Sequence, residues 1–510
     1  MTALRIVSSG QALPLSLPPI RAGGLNPALL DAFVSPVGGG NPAARLLEPG
    51  ALAVTTGQQP GLFSGPLYTI HKAISAAMLA RQLEARWARP VVPVFWVAGD
   101  DHDFAEAASV TWLGSDGSLI HGTLRERPGE APMLPMYREL LGPEIELLLA
   151  GLEEAMPPGP DRDLVMGAIR RHYRPAASVA GSCAGLLAEW LAPLGVAVFD
   201  PTHTTAKQAQ APILLEALRR TPVLVQRLES RRRELVAAGS DPGVPVTEGA
   251  SLVMVEATAG RDRLIQVGAG FESRRSREGF TLAELEGVAK TQPVRLSANV
   301  LLRPVIESAL LPTVAYVAGT AELKYLALAR PLYEELKVHV QAPTPRWSGM
   351  IVDPKVDRVL QKFDARLDEL LAPSRQLEAR VVREQLPADA SAALVHLREQ
   401  LERGYDTLIR AALDIDPTIE RSIRNLAAQA HNGVADAEKR LLSHLKKRQA
   451  TETQQIARAR DLLLPDGEPQ ERVLTVAPWL AKYGPGLLTE IAGVVEAWYG
   501  SSLEPAPQGR

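Results

Sequence analysis

The chain has 510 residues, with 55 Lys or Arg against 58 Asp or Glu, so its formal net charge is -3. Hydrophobic residues make up 46% and charged residues 22%, which excludes wholesale disorder. The near-neutral charge disfavours a general nucleic-acid-binding surface. The single cysteine, Cys183, cannot form an internal disulfide, no run approaches the roughly 20 apolar residues that span a bilayer, and no signal peptide is evident. We therefore expect a cytoplasmic protein that binds neither nucleic acid nor membrane.

Short apolar runs in the first part of the chain predict strands that are buried on both faces. They cover residues 52–56, 91–98, 196–199 and 312–318. Helical patterns lie between them, and this alternation predicts an α/β fold with a Rossmann-like, doubly wound parallel sheet in residues 1–350. Two intervals, about 111–179 and 204–293, are too long for simple crossovers and are predicted insertions. The second contains a candidate hairpin around Gly260.

Residues 351–464 have a different character. Residues 351–460 include 36 charged side chains and only two aromatic ones. Their apolar residues recur at steps of three, four and seven, which predicts a long α-helical coiled coil. Asp416 followed by Pro417 marks the start of a helix that should run to about residue 461. Residues 465–510 carry further apolar anchors and are predicted to pack back on the core.

Polar clusters follow three of the predicted strands, at the carboxyl ends where open α/β sheets bind ligands. The first cluster combines glycines, amides, a hydroxyl and two bases: Gly57, Gln58, Gln59, Gly61, Ser64, Gly65, His71 and Lys72. A glycine-rich turn before a helix suits phosphate or carboxylate, and the two bases could donate to a transferring phosphoryl group. The alternative is a plain turn with a helix cap.

The second cluster is Asp100, Asp101, His102 and Asp103, directly after a buried strand. Such crowding of charge points to a general base, ligands for an amine, or a metal site. Consecutive residues wrap one ion poorly, so no metal is predicted. The alternative is a solvated loop in which Asp103 caps the next helix.

The third cluster contains Gly319, Glu322 and Tyr325, and Asn299 and Arg303 lie upstream of it. Glu322 could bind a ligand or merely cap a helix. Arg303 could clamp a carboxylate or phosphate with two hydrogen bonds, and the alternative is a salt bridge.

Four parts of this sequence closely resemble the family of the bacillithiol biosynthesis cysteine-adding enzyme, BshC. They are residues 56–72, residues 95–104, residues 299–304 with 311–319, and residues 470–472 with 483–484. The family is similar to class I aminoacyl-tRNA synthetases, which implies a Rossmann-like core with inserted segments, an antiparallel coiled coil and a homodimer. The implied activity is that of a ligase, which joins the carboxyl of cysteine to the glucosamine amine of glucosaminyl malate in the last step of bacillithiol biosynthesis.

The resemblance also implies roles for single residues. His71 would belong to a phosphate-binding motif, and the loop 100–103 would line the same pocket. Amide formation from a free carboxylate needs activation, most simply as an acyl-adenylate, so ATP is implied by the chemistry rather than by a pair of motifs. His71 and Lys72 would stabilise charge on the α-phosphate, the acidic loop would bind the ammonium of cysteine or deprotonate the amine, and Arg303 would bind the malyl carboxylates.

The sequence departs from the family at two of these places. The family more often has Glu at Asp100, and it usually has Pro-Gly where Thr320 and Ala321 stand here. Two other functions remain open. One is a metal-dependent phosphoesterase that uses residues 100–103, and the other is a non-catalytic coiled-coil dimerisation scaffold.

Overall fold

The computed structural model describes residues 4–12, 14–16, 18–21, 24–373, 375–448 and 450–503. The chain divides into two compact units. The larger contains Ile6–Met350 and Pro469–Arg510, and the smaller contains Met1–Arg5 and Ile351–Glu468. In the described ranges, no helix combines the length and the apolar character needed to cross a membrane.

A six-stranded sheet forms the centre of the larger unit. Its strands, in spatial order, are Ala342–Pro345, Thr313–Ala318, Leu52–Gln58, Val91–Val97, Ala197–Phe199 and Phe33–Val34. Neighbours are parallel except at the last pair, where the edge strand is antiparallel. Every residue of Val91–Val97 is buried, as the continuous apolar run requires. The predicted Rossmann-like α/β fold is confirmed, with one antiparallel strand added at the edge.

Helices and 3-10 turns connect and cover this sheet. The α-helices of the larger unit are Leu67–Trp87, Phe104–Ala107, Ile145–Ala155, Pro160–His172, Val179–Leu191, Thr204–Arg219, Thr221–Ala237, Leu282–Thr291, Arg303–Leu310, Thr320–Glu335, Gln470–Val473, Ala477–Tyr483 and Leu487–Ser502. The last of these packs against Leu67–Trp87. Residues after Pro469 therefore belong to the same compact unit as the sheet.

The second predicted insertion contains most of another sheet. Its five strands are Gly279–Phe280, Gly270–Ser273, Gly260–Val267, Ala250–Ala257 and Leu296–Ala298, in this spatial order and with antiparallel pairing throughout. The hairpin predicted around Gly260 is confirmed. The first insertion contributes a smaller hairpin, Ser109–Leu113 with Leu119–Thr123. Strands Arg5–Ser8 and Gly349–Val352 span the residues at which the two units divide.

The smaller unit is helical. Its α-helices are Pro354–Lys362, Leu367–Leu371, Gln376–Glu384, Ala388–Leu413, Glu420–Arg448 and Ala450–Asp461. The two longest pack against each other as an antiparallel pair: Ile409 and Ile423 cluster close to the turn, and Arg398 bonds to Glu438 far from it. The coiled coil is confirmed.

The helix predicted from Pro417 to about residue 461 differs in detail. It begins as a 3-10 turn, Pro417–Ile419, which Asp416 caps by accepting the Thr418 amide at 2.8 Å. Two α-helices, Glu420–Arg448 and Ala450–Asp461, follow this turn. Residue 449 lies outside the described residues.

Candidate active site

A cavity of about 510 Å³ lies at the carboxyl ends of three neighbouring parallel strands, Leu52–Gln58, Val91–Val97 and Thr313–Ala318. Twelve of the residues predicted from the sequence line it: Gly57, Gln58, Gln59, Lys72, Asp100, Asp101, His102, Asn299, Arg303, Gly319, Glu322 and Tyr325. The parallel register brings the loops after the three strands to one edge of the sheet. The predicted clusters therefore form one site.

The other five predicted residues are not in the cavity wall: Gly61, Ser64, Gly65, His71 and Asp103. Asp103 is exposed and caps a short helix through the Glu106 amide, at 3.3 Å. The glycine turn packs against buried Tyr173, whose hydroxyl donates to the carbonyl of Gly61 at 2.8 Å. At the start of the next helix, the Leu67 amide donates to Leu474 at 2.8 Å. This amide is thus bonded within the protein rather than available to phosphate.

Lys72 and Glu322 form a buried ion pair in the cavity wall. The ammonium of Lys72, only 1% exposed, donates to Glu322 at 2.6 Å, to Gln58 at 3.2 Å and to the carbonyl of Gly57. Burial lowers the pKa of Lys72, and Glu322 counteracts that effect. Burial would raise the pKa of Glu322, but Lys72 and the Gly319 amide hold it below its ordinary value. Each partner thus favours the charged form of the other. Glu322 also caps its helix by accepting the Gly319 amide at 2.8 Å, so the helix-cap interpretation is confirmed, and ligand binding by this residue stays a prediction.

Arg303 lies in a second buried network next to this pair. Its guanidinium donates to Glu307 at 2.7 Å and to the hydroxyl of Tyr316 at 3.0 Å. The hydroxyls of Tyr316 and Tyr325 donate in turn to Glu322, at 2.8 and 3.3 Å. Burial raises the pKa of Glu307 to about 7, although Arg303 opposes the rise. The hydrogen bonds to Glu307 and Tyr316 thus fix the side chain of Arg303, which lines the cavity.

Each acid of the acidic loop that lines the cavity has its own partner. Asp100 accepts from the fully buried ammonium of Lys207 at 2.5 Å. Asp101 accepts from the amide of Gln59 at 2.6 Å and from the backbone of His102 at 2.6 Å. Burial raises the pKa of Asp101, but nearby Arg261 and these hydrogen bonds lower it more. Asp101 is therefore ionised and suited to hold a cation, such as an ammonium group.

His102 is a neutral hydrogen-bond donor in this arrangement. Burial lowers its pKa to about 4, and the guanidinium of Arg261 contributes to the same shift. The Nη1 of Arg261, which can only donate, lies 3.1 Å from Nδ1 of His102, so Nδ1 accepts and the proton resides on Nε2. His102 can thus donate to a ligand but is poorly suited to take a proton from one.

The cavity wall also contains an arginine, Arg346, that is anchored by the C-terminal segment. Arg346 donates to Glu471 through two hydrogen bonds, at 2.6 and 2.9 Å. Nδ1 of His71 lies 2.8 Å from the same carboxylate, and its ring meets Trp347 edge to face at 4.7 Å. His71 has no exposed surface and is not part of the cavity wall.

The cavity has an excess of positive charge. Its basic residues are Lys72, Arg261, Arg263, Arg303, Arg346 and Arg472, and its acidic residues are Asp100, Asp101 and Glu322. In the described residues, neither Arg263 nor Arg472 forms an ion pair. Six basic side chains against three acidic ones suit a ligand that carries several negative charges.

Comparison with protein families shows to which family the chain belongs. A model described as "Bacillithiol biosynthesis BshC, N-terminal Rossmann-like domain" matches residues 41–347, and one described as "Bacillithiol biosynthesis BshC, C-terminal coiled-coil domain" matches residues 349–497. This chain belongs to the BshC family. The second match extends beyond Glu468 into the segment that is compact with the larger unit.

Individual relatives agree with the family match. A protein of Heliobacterium modesticaldum is 31% identical over 472 residues, which cover 90% of this chain and 84% of the relative. A protein of Koribacter versatilis is 32% identical over 444 residues, which cover 86% and 81%. Both carry the name "Putative cysteine ligase BshC".

Several residues of the cavity were not predicted from the sequence. Tyr68 and Arg472 lie inside or beside segments that resemble the family, so the resemblance could have indicated them. Arg261, Arg263 and Arg346 lack such a signal. Arg261 and Arg263 come from a strand of the inserted hairpin, and only the fold brings them to the loops of the parallel sheet.

Proposed function

We propose that this chain is a ligase of bacillithiol biosynthesis that joins the carboxyl of cysteine to the glucosamine amine of glucosaminyl malate. The observation that carries the proposal is that one cavity collects side chains from all four segments that resemble the BshC family. The names of the relatives support the same reaction class. As the last step of the pathway, it would take place in the cytoplasm.

ATP fits the charge of this cavity as the activating co-substrate. Amide formation from a free carboxylate requires an activated carboxyl group, which ATP would supply. The excess of basic residues, with Arg263 and Arg472 free of ion pairs among the described residues, suits a polyphosphate. The malyl carboxylates of the second substrate need the same kind of partner, and Arg303 lines the cavity with its orientation fixed by Glu307.

The acidic loop would recognise positive or hydrogen-bond-accepting groups. Ionised Asp101 would bind the ammonium of cysteine, and Nε2–H of His102 would donate to a substrate oxygen. Lys72 has three acceptors and lies against Glu322, so we assign it to fixing Glu322 and the Gly57 loop rather than to neutralising phosphate. His71 would act through Glu471.

The test is incubation of the purified protein with cysteine, glucosaminyl malate and ATP, followed by mass detection of the product and of AMP against ADP. We expect a product that is heavier than glucosaminyl malate by one cysteine less one water, formed only when ATP is present. Folded protein that yields no such product would refute the proposal.

The geometry favours the ligase over a phosphoesterase. Asp100, Asp101 and His102 are each bonded to a separate donor, Lys207, Gln59 and Arg261, and do not converge. In the described part of the chain, no group of three or more His, Cys, Asp or Glu could hold a metal ion. A phosphoesterase would hydrolyse p-nitrophenyl phosphate with an added divalent metal, and we expect no hydrolysis.

We also propose that the chain forms a homodimer through its coiled coil. Large apolar side chains are exposed on the two long helices of the smaller unit: Val395, Leu397, Leu408, Leu413, Leu426 and Leu441. A second copy would cover such a surface. Sedimentation velocity should give a dimer, and a Leu426→Glu/Leu441→Glu variant should sediment as a monomer. A monomeric native protein would contradict this assignment.

A further inference from the structure

Glu471 is a carboxylate that takes part in four hydrogen bonds with three residues. Its oxygens accept two bonds from Arg346, one from Nδ1 of His71 and a longer one, at 3.4 Å, from the amide of Gly349. The side chains of Glu471, Arg346 and His71 are only 8%, 9% and 0% exposed. Of the three residues, only Arg346 lines the cavity.

Within the described residues, the hydrogen bonds of Arg346 leave one edge of its guanidinium unused. Nη1 donates to Glu471 and to the carbonyl of Trp347, at 2.9 and 2.8 Å, and Nη2 donates one hydrogen to Glu471. The guanidinium has five N–H groups, so Nε–H and the second hydrogen of Nη2 remain. These two point the same way. No described residue accepts from Nε, which lies 3.9 Å from the position that a Cβ on Gly319 would occupy.

We propose that Glu471 is a positioning residue, which turns this free edge of Arg346 into the cavity to bind a carboxylate or phosphoryl group of a substrate. Two parallel N–H groups match two oxygens of such an anion, so their orientation determines affinity. His71 acts one step further back, because it fixes the carboxylate of Glu471. The choice of substrate group rests on the proposed function, whereas the anchoring of Arg346 does not.

The protonation of the group agrees with this role. Burial would raise the pKa of Glu471, but the bonds from His71 and Arg346 lower it to about 2. An ionised carboxylate can only accept, so Nδ1 of His71 carries the proton. Burial keeps His71 neutral because it lowers the pKa of the imidazole. At neutral pH the ionised carboxylate of Glu471 therefore holds the edge of Arg346 that points away from the cavity.

Glu471→Gln tests the anchoring with the least change of shape. One amide orientation places NH₂ against Nη1 of Arg346 and the other places it against Nη2, so each loses one of the two bonds. We expect the dissociation constant of the affected ligand to rise about tenfold, the equivalent of about 1.4 kcal/mol. Binding of malate and of ATP is measured separately by calorimetry on the full-length protein. The ligand that weakens identifies whether a carboxylate or a phosphoryl group occupies the free edge.

A matched control exists in the same unit. Glu189 also joins an arginine and a histidine, with bonds to Arg171 at 2.7 Å and to His172 at 2.9 Å, but it does not line the cavity. Glu189→Gln should leave both dissociation constants unchanged. Equal losses in the two Gln variants would overturn the proposal, because they would indicate a general structural effect.

Two further variants separate positioning from stability. His71→Gln leaves Glu471 and Arg346 in place and removes the imidazole that bonds to Glu471 and contacts Trp347. It should weaken the same ligand about threefold, which keeps the test valid if Glu471→Gln fails to fold. Arg346→Lys removes the free edge, so adding Glu471→Gln to it should cause no further loss. Unchanged binding in both Glu471→Gln and His71→Gln, or additive losses with Arg346→Lys, would overturn the proposal.

Failure of the proposed function would give a different pattern. If the wild type makes no bacillithiol but Glu471→Gln still weakens one ligand, the ligase is refuted and the positioning role stands. If product forms, Glu471→Gln should raise the KM of the affected substrate about tenfold and change kcat less than twofold. An unchanged KM would overturn the positioning role alone.

Discussion

Removal of Lys72 should destabilise the larger unit through the charge that it leaves behind. Lys72→Met replaces a side chain that is 1% exposed and deletes its bonds to Glu322, Gln58 and Gly57. Removal of one partner of a buried ion pair costs about 3–5 kcal/mol. Glu322 keeps donors from Gly319 and two tyrosines, so we expect the low end, about 3 kcal/mol.

A double variant that also neutralises Glu322 tests the reason for that loss of stability. In Lys72→Met/Glu322→Gln no unpaired charge remains, so the double variant should recover about 1–2 kcal/mol relative to Lys72→Met. All seven tryptophans lie in the larger unit, and urea unfolding followed by their fluorescence therefore reports on that unit alone. Lys324→Met, an exposed control on the helix of Glu322, should change stability by less than about 0.5 kcal/mol. A Lys72→Met protein as stable as the wild type would refute the reasoning. So would a double variant whose loss of stability equals the sum of the losses in the two single variants.

Three other predictions concern residues around the cavity. Arg261→Met should raise the pKa of His102 from about 4 towards 6.5, because a neighbouring cation is lost. NMR titration of the imidazole measures this pKa, and an unchanged midpoint would contradict the assigned contact. Asp103→Ala should cost about 1 kcal/mol through loss of a helix cap and leave product formation within twofold, whereas a loss above tenfold would place Asp103 in the reaction. The lowered pKa of Glu471 contributes stability that is present above pH 4.5 and is lost as the pH falls towards 2. Between pH 4.5 and pH 2, the free energy of unfolding of the wild type should therefore fall by about 3 kcal/mol more than that of Glu471→Gln, as measured by urea titrations at a series of pH values. Equal decreases in the two proteins would show that the carboxylate is not ionised as described.

The strands and the position of the site could be predicted because their causes are local. A strand buried on both faces must be apolar along its whole length, and Val91–Val97 shows this without alternation. Loops at the carboxyl ends of parallel strands then meet at one edge. That rule predicts that Asp101 and Glu322 lie at one edge of the sheet, whereas it gives no place for Arg303, which precedes the third strand.

The pairings within the site could not be predicted because they depend on helix rotation and on distant segments. Tyr68 and Lys72 are four residues apart, so they share one helix face and both line the cavity. His71 is one residue from Lys72, about 100° around the axis, and therefore contacts Glu471 behind the wall. Arg346 carries no local signature, because its anchor lies 125 residues away in the sequence.

If the carboxyl of cysteine is activated by ATP and transferred to an amine, one of its two oxygens must leave with a product of ATP, and isotope labelling measures this transfer. Cysteine labelled with ¹⁸O in both carboxyl oxygens is incubated with the full-length protein, glucosaminyl malate and ATP. We expect an amide that retains one ¹⁸O, while the other appears in the AMP or phosphate released from ATP. Absence of the amide from folded protein, or an amide formed without transfer of label to a product of ATP, would contradict this expectation.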